Sequence, residues 1–429
     1  AAGHASPPAA PVCRGLAAAR RLLLSCAMQP SSSHVLIVGA GPVGLALAHG
    51  LGLAGVDVTL IERDAAVSRQ LRASTFHPPT LDMLDAWGVT AELLAQGRVT
   101  PVWQIRLHET GEHVDFDLSV LGDETAHPYR LQCEQAVLSE ALERRLRLLR
   151  GVRGGGGGGG PGRGAPPPHA WVELEGGERL QAAYVVGCDG AHSLVRKAIG
   201  ASFDGSTYPD TTLLATTTFD FDAMWDDLAG VNYIWQDSGT YSLLHLPEVW
   251  RVSLHPVSDA PLEEEAKLAR IRARLGALFP GHGPFELLEI RPYRVHKRLA
   301  SRWRDRRLFL AGDAAHLNNP KGGMGMNGGL HDALCLGGLL ARRLDGAADE
   351  SLDGYERQRL PVVRDDIIAQ ADRNHARMQI RDLVERREAL ARLQALARDR
   401  DRCRAYLRQT SMLEGLDKAR SLAAAAGQP

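Results

Sequence analysis

With 429 residues, 44% hydrophobic and 24% charged, the chain has an ordinary globular composition and room for two or so domains. A formal net charge of -1 gives no electrostatic basis for binding nucleic acid or an acidic polymer. Sixteen histidines and six cysteines, with no HExxH and no paired CxxC, supply neither a metal motif nor a disulfide framework. Cys188 and Cys335 lie in apolar contexts and are expected as free thiols. The apolar stretch from Val35 to Ile61 is broken by glycines and a proline, so stable membrane insertion is not expected.

Residues 1–33 carry Arg14, Arg20 and Arg21 and no acid, a composition similar to an organelle transit peptide. That reading sends the protein to the mitochondrion or another organelle. The other reading starts the protein at Met28 and leaves it cytoplasmic. In both, 1–33 is a disordered leader or upstream sequence.

His34 to Arg63 reads as a βαβ unit. Val35–Val38 form a buried strand, Gly39-Ala40-Gly41-Pro42-Val43-Gly44 is a G-x-G-x-x-G turn opening a helix, and Val58–Ile61 form a second strand ending at Glu62. Gly39 permits the tight turn, Gly41 lets the backbone approach a pyrophosphate, and Gly44 lets helix and strand pack closely. Glu62 stands where an acid can bond a ribose hydroxyl. The unit alone does not separate NAD from FAD.

Arg69 and Arg72 precede a helix expected from about Pro78–Thr80, with Leu81, Leu84 and Trp87 on one buried face. Tyr129 to Leu149 reads as a strand end and an amphipathic helix, with Gln132 at the junction. Residues 151–168 are Gly- and Pro-rich; no strand precedes them, so they read as a flexible insertion at a hairpin tip. Tyr184 to Gly200 gives a buried strand, a turn carrying Asp189, and a helix. From Ser202 to about Pro292 short alternating runs indicate an antiparallel sheet, in which Tyr233, Trp235, Tyr241 and His245 are candidate pocket residues.

Leu308 to Leu340 is the stretch around which the chain is organised. A short strand turns sharply at Ala311-Gly312-Asp313, passes through a loop of Gly, Asn and Pro, and becomes a helix near Met326. Asp313 and the helix N-terminus can hold an anionic or hydroxyl-rich ligand between them. Residues 341–429 read as helices rich in Arg, Ala and Leu, with homodimer contacts among their candidate roles.

In this order, GAGPVG, GCDGAHSLVRKAIG and LFLAGDAAHLNNPKGGMGMNGG resemble the three fingerprints of single-component FAD-dependent aromatic hydroxylases, the para-hydroxybenzoate hydroxylase family. The resemblance implies an α/β fold with a discontinuous Rossmann-like FAD-binding domain over 34–201 and 293–345. An antiparallel substrate domain over 202–292 is inserted into it, and 346–429 form a helical C-terminus. It implies that Gly39, Gly41 and Gly44 hold the FAD pyrophosphate and Glu62, with Arg63 beside it, the adenosine ribose. Arg72 and Gln132 would contact FAD, Asp189 would serve both FAD and NAD(P)H, and Asp313 would bond the ribityl chain. Pro320 would lie near the flavin ring, with Gly325, Met326 and Asn327 presenting backbone to it. Met324 and Gly328 depart from the pattern, where many relatives have Gln and Thr, and altered substrate fit or flavin mobility is expected there.

The implied activity uses NADPH or NADH and O2 to hydroxylate a small phenolic or N-heteroaromatic substrate through a flavin hydroperoxide. The alternatives are a ubiquinone-biosynthesis-type hydroxylase and a flavin-binding protein without monooxygenase activity. Tyr233, Trp235 and His245 are the candidate substrate contacts. His77 and His245 are the candidate bases, each with a structural role as the competing reading.

Overall fold

The computed structural model describes residues 12–16, 20–23, 34–152, 170–174, 177–225, 227–237, 239–255 and 262–426. All four residues of β1 (Val35–Val38) are buried, which requires a strand covered on both faces. It lies inside a six-stranded sheet, paired in parallel with β2 (Val58–Glu62) and β3 (Tyr184–Gly187). Next to β3, again in parallel, runs β4 (Leu308–Leu310). Antiparallel edge strands, Arg20–Leu23 beside β2 and Arg304–Asp305 beside β4, complete the sheet.

Helix α1 (Pro42–Leu53) follows β1 and is buried over most of its circumference. A glycine of helix α2 (Met324–Leu344) lets the two helices approach closely: a Cβ built on Gly337 would stand 3.3 Å from Leu47 of α1. Helix α2 starts at Met324, two residues before the point read from the sequence.

The second sheet has eight strands, and it is wider than residues 202–292. Its order is His316–Leu317, Leu287–Ala300, Phe203–Thr217, Trp250–Leu254, Gly239–His245, Val231–Gln236, Val102–Leu107 and His113–Asp117. The texture change at Ser202 is therefore not the boundary of the sheet. The pairing of Val231–Gln236 with Val102–Leu107 is parallel, a departure from the antiparallel expectation. Alternation along a strand reports which residues are covered, and carries no information about a partner more than a hundred residues away.

Most of residues 151–168 lie outside the described residues. The expected hairpin tip falls on them; the described element before is the helix Gln135–Val152, and the strand after, Ala170–Leu174, pairs with Arg179–Ala182. Of the expected leader, Val12–Leu16 pairs with Ala170–Leu174 and Arg20–Leu23 with β2, while the rest lies outside the described residues. Cys188 and Cys335 are free thiols, both half-buried. No helix among the described residues is long and apolar enough to cross a membrane.

Two glycines of the first turn separate packing from access. A Cβ at Gly44 would stand 1.9 Å from the Gly39 carbonyl oxygen, whereas one at Gly41 would meet nothing within 4 Å. In urea denaturation Gly44→Ala should lose at least about 2 kcal/mol, and Gly41→Ala should stay within about 1 kcal/mol of the parent.

Candidate functional site

The carboxyl ends of the parallel strands are tied by backbone hydrogen bonds that continue past the strands. Gly39 N–H donates to Ile61 O at 2.8 Å, Cys188 N–H to Val38 O at 2.8 Å and Ala311 N–H to Gly187 O at 3.0 Å. Gly39 sits at φ +102°, and a Cβ there would stand 2.4 Å from the Cys188 carbonyl oxygen. A Cβ on Gly312 would come within 2.9 Å of Val43, and one on Gly329 within 3.1 Å of Gly312 Cα. Three segments separated by well over a hundred residues each are thus in van der Waals contact at one end of the sheet, where ligands bind in open α/β folds.

Several polar side chains are positioned around this end. Glu62 accepts hydrogen bonds from Ala40 N–H at 2.7 Å and Arg63 N–H at 2.7 Å, bracing the glycine turn, while Arg63 itself points to solvent beside Asp64. Asp189 Oδ2 caps the helix Leu194–Ala198 by accepting from Leu194 N–H at 2.7 Å, and its Oδ1 is buried without a partner. Burial raises the Asp189 carboxyl's pKa, against those hydrogen bonds. Asp313 is open to the crevice, yet protein packed around it raises its pKa by desolvation, with His316 and Arg72 pulling the other way.

Arg72 is held by its backbone. Buried Arg251 donates to Arg72 O at 2.9 Å and to Ser74 Oγ at 2.8 Å, and Arg291 donates to Leu71 O at 2.8 Å. Both arginines come from the large sheet, and nothing in the sequence pattern marked them. Gln132 is fully buried; its Oε1 accepts from Thr75 Oγ1 at 3.0 Å, and its Nε2 has no partner.

Gly323, at φ +69°, is the N-cap of α2, and no side chain caps the N–H groups of the first turn, where Gly325 and Met326 lie. Asn327 does not expose its side chain there. Its Oδ1 accepts from His77 N–H at 3.0 Å and its Nδ2 donates to Thr75 O at 2.8 Å, stapling that segment to the helix. The His77 ring also fastens the loop, its Nε2 lying 2.7 Å from Gly322 O. Burial first, then the Arg130 charge, push its pKa down to about 3, so the ring is neutral and Nε2 is the donor. This is a structural placement for His77. Pro320 is exposed at the crest of the loop. The two departures also have local causes: Met324 is 1% exposed in the core, and a Cβ at Gly328 would already stand 2.8 Å from Ile367.

Beneath the loop lies an ion network that sequence reading missed. Asp332 Oδ2 accepts from Gly312 N–H at 3.2 Å and pairs with His316 Nε2 at 2.7 Å, while Oδ1 accepts from Arg359 Nε at 2.8 Å. Burial opposes the charge on Asp332, but His316 and Arg359 outweigh it and hold the carboxyl at about 2. Only its place one helical turn or more beyond the glycines could have flagged Asp332, and an acid in a helix is commonplace.

The candidate pocket residues divide between two faces of the large sheet. Tyr233 and Trp235 share a face with Leu244, opposite Val231, so His245 and Tyr241 point the other way. Tyr233 borders a pocket with Gly322, Asn374 and Met378, and its hydroxyl accepts from Gly322 N–H at 3.1 Å. Trp235 is fully buried and donates to Arg377 O at 3.1 Å. His245 stacks on Trp250 at 4.0 Å near Asp222, away from the loop.

A family model described as FAD binding domain matches residues 32–369. The chain is 33% identical over 339 residues to 6-hydroxy-3-succinoylpyridine 3-monooxygenase of Pseudomonas putida, covering 76% of this chain and 84% of that protein. It is 32% identical over 391 residues to para-nitrophenol 4-monooxygenase of a Pseudomonas species, covering 89% and 96%. Among solved structures, p-nitrophenol 4-monooxygenase PnpA of Pseudomonas putida superposes with a TM-score of 0.77 at 29% identity, over 90% of this chain and 97% of that one.

Removing one partner of a buried ion pair strands the other, so Arg359→Met should cost about 3–5 kcal/mol in urea denaturation. The folded pKa of Asp332 lies below its ordinary 3.8, so its contribution is complete above that value and is lost as pH falls towards about 2. Acid titration of stability should show this loss, and Asp332→Asn should flatten it.

Proposed function

The chain belongs to the FAD binding domain family and is an FAD-dependent aromatic hydroxylase, and from that premise we propose how its residues divide the work. The pyrophosphate would be held at Gly41, the one glycine of the turn with open space above it, with Gly39 and Gly44 beside it at the N-terminus of α1. Glu62 takes the adenosine ribose, with Arg63 at the rim, and Asp313 takes the ribityl chain. Gln132 brings a buried, unpartnered amide donor to the cofactor, and Asp189 a buried, unpartnered carboxylate oxygen. Arg72 lies along the same cleft, its charge facing Asp313. Pro320 flanks the ring. The uncapped first turn of α2, with Gly325, Met326 and the Asn327 backbone, meets the edge where negative charge is favoured by the helix dipole.

Bound FAD would supply the redox chemistry that links NAD(P)H and O2 to hydroxylation of the ring. The protein's share is orientation and exclusion of water. Tyr233 and the Gly322 turn hold one wall of the substrate pocket, and the C-terminal helix Ala369–Met378 covers it, with Asn374 donating to Lys321 O at 3.2 Å. The substrate is a small phenol or N-heteroaromatic; by their names, the two Pseudomonas relatives act on a succinoylpyridine bearing a hydroxyl and on a nitrophenol. Trp235 supports the wall from behind, and His245 has no part in the pocket.

The observation that carries this assignment is the contact of Gly39 with Cys188 and of Gly312 with Val43, which assembles all three fingerprints into one crevice. In the FAD-loaded protein at least one phenol or hydroxypyridine should accelerate oxidation of NADH or NADPH and gain an oxygen atom, with little peroxide released. FAD uptake without reduction by either nucleotide would refute the reading. Asp313→Ala should weaken FAD binding roughly tenfold or more, read by flavin fluorescence on reconstitution of the apoprotein.

A further inference from the structure

Asp372 and Arg373 are neighbours of opposite charge in the helix Ala369–Met378, and a chain of hydrogen bonds runs from each to the backbone of Lys321. Arg373 donates through Nε and Nη2 to Gln370 Oε1 at 3.0 and 2.6 Å. Gln370, 1% exposed, donates through Nε2 to Asn374 Oδ1 at 2.9 Å, and Asn374 Nδ2 donates to Lys321 O at 3.2 Å. In the second chain the Tyr208 hydroxyl donates to Asp372 Oδ1, and the Asn319 side chain hydrogen-bonds the same hydroxyl. Asn319 Oδ1 then accepts from Lys321 N–H at 3.0 Å.

Amides and hydroxyls can be turned either way round, but a guanidinium only donates and a carboxylate only accepts. Arg373 therefore draws the Gln370 oxygen towards itself. That turns the Gln370 amide NH2 to Asn374 Oδ1, and the Asn374 NH2 to Lys321 O. Asp372 takes the Tyr208 proton, so the phenol oxygen accepts from Asn319 Nδ2 and leaves Asn319 Oδ1 for Lys321 N–H. Burial, and after it Asp372, raise the Tyr208 pKa, which keeps that proton on the hydroxyl. Reversing either chain would set oxygen against Lys321 O, or NH2 against Lys321 N–H. The ion pair of Asp372 with Lys297 at 2.9 Å fastens the helix to the sheet and gives neither chain its direction.

We propose that Asp372 and Arg373 are positioning residues for the hydroxylation, setting the direction of two relays that hold the Pro320–Lys321 turn against the flavin; this rests on the hydroxylase reading above, in which Pro320 flanks the ring. Both polar groups of one residue beside Pro320 are fixed at once, so the turn can neither rotate nor lift without breaking a relay. A wall held in this way keeps its place while the ring beside it is oriented.

Trypsin cleaves after lysine, so cleavage at Lys321 in native FAD-loaded protein, read by mass spectrometry, reports on the turn itself. Iodide quenching of flavin fluorescence reports on how well the ring is covered. Asp372→Asn and Arg373→Glu, which release or reverse a relay, should raise both readings roughly threefold or more, with the urea midpoint little changed. Asp372→Glu and Arg373→Lys keep an acceptor-only and a donor-only end, and should stay within about twofold of the parent. Lys297→Met removes only the ion pair and should stay there too. Tyr208→Phe interrupts the second relay from the sheet side, and stands in for Asp372→Asn should that variant not fold. It should match Asp372→Asn and add nothing to it in the double variant. Conservative variants as damaging as the others would overturn the inference in favour of packing, and Lys297→Met equal to Asp372→Asn would overturn it in favour of the ion pair. Faster cleavage at Lys321 with unchanged quenching overturns it as well, because the turn then has no bearing on the flavin. Each of these outcomes leaves the hydroxylase reading standing, whereas a parent protein that takes up no FAD overturns both.

Discussion

One buried carboxylate sets the geometry on which the cleft depends. Asp332 is fully buried and reaches the backbone of Gly312, the ring of His316 and the guanidinium of Arg359 at once. The turn that presents Asp313, the strand that rejoins the large sheet, and the helix Gly354–Val362 are therefore fixed relative to α2 by a single side chain. Charged groups in such a setting are tolerated because each is paired and hydrogen-bonded, and Trp303 stacked on His316 at 5.4 Å closes the site to water. Without that carboxylate the first turn of α2 and Asp313 would lose their common reference.

The large sheet and the C-terminal helices complete the frame from the other side. Arg251 and Arg291 reach from the sheet to the backbone of Leu71–Ser74, so the segment bearing Arg72 is clamped by groups with no exposed role. Asp372 joins Tyr208 and Lys297 of the sheet to the helix above the pocket. Orientation of a small ring needs walls that do not yield, and these polar links supply stiffness where apolar packing alone would slide.

The three fingerprints were legible because their signals are local. A glycine that must accept a positive φ or a close backbone, and an acid at a strand end, are visible within a few residues, and the strands and helices around them followed. What was not legible is what depends on distant partners. The pairing of Val102–Leu107 with Val231–Gln236 leaves no mark on either strand, so the sheet was drawn too small. The face to which Tyr233 turns and His245 does not is settled by register. Asp332 reads as one helical acid among many; only its burial and its partners distinguish it. The helices after residue 346 gave an Arg-rich surface pattern, while their contribution to the pocket comes through Asn374, Arg377 and Thr410.

The parallel pairing of Val102–Leu107 with Val231–Gln236 has a consequence for synthesis on the ribosome. Val102–Leu107 can pair at once with His113–Asp117, but its other edge has no partner until more than a hundred further residues have been translated, and the second edges of β1 and β3 wait similarly for β3 and β4. Long-range closures of this kind slow folding and leave apolar strand edges uncovered meanwhile. Arg359, which neutralises Asp332, arrives later still. The nascent chain therefore reaches its native topology late in translation, and holding its early strands apart until then is a task for the cell's chaperones.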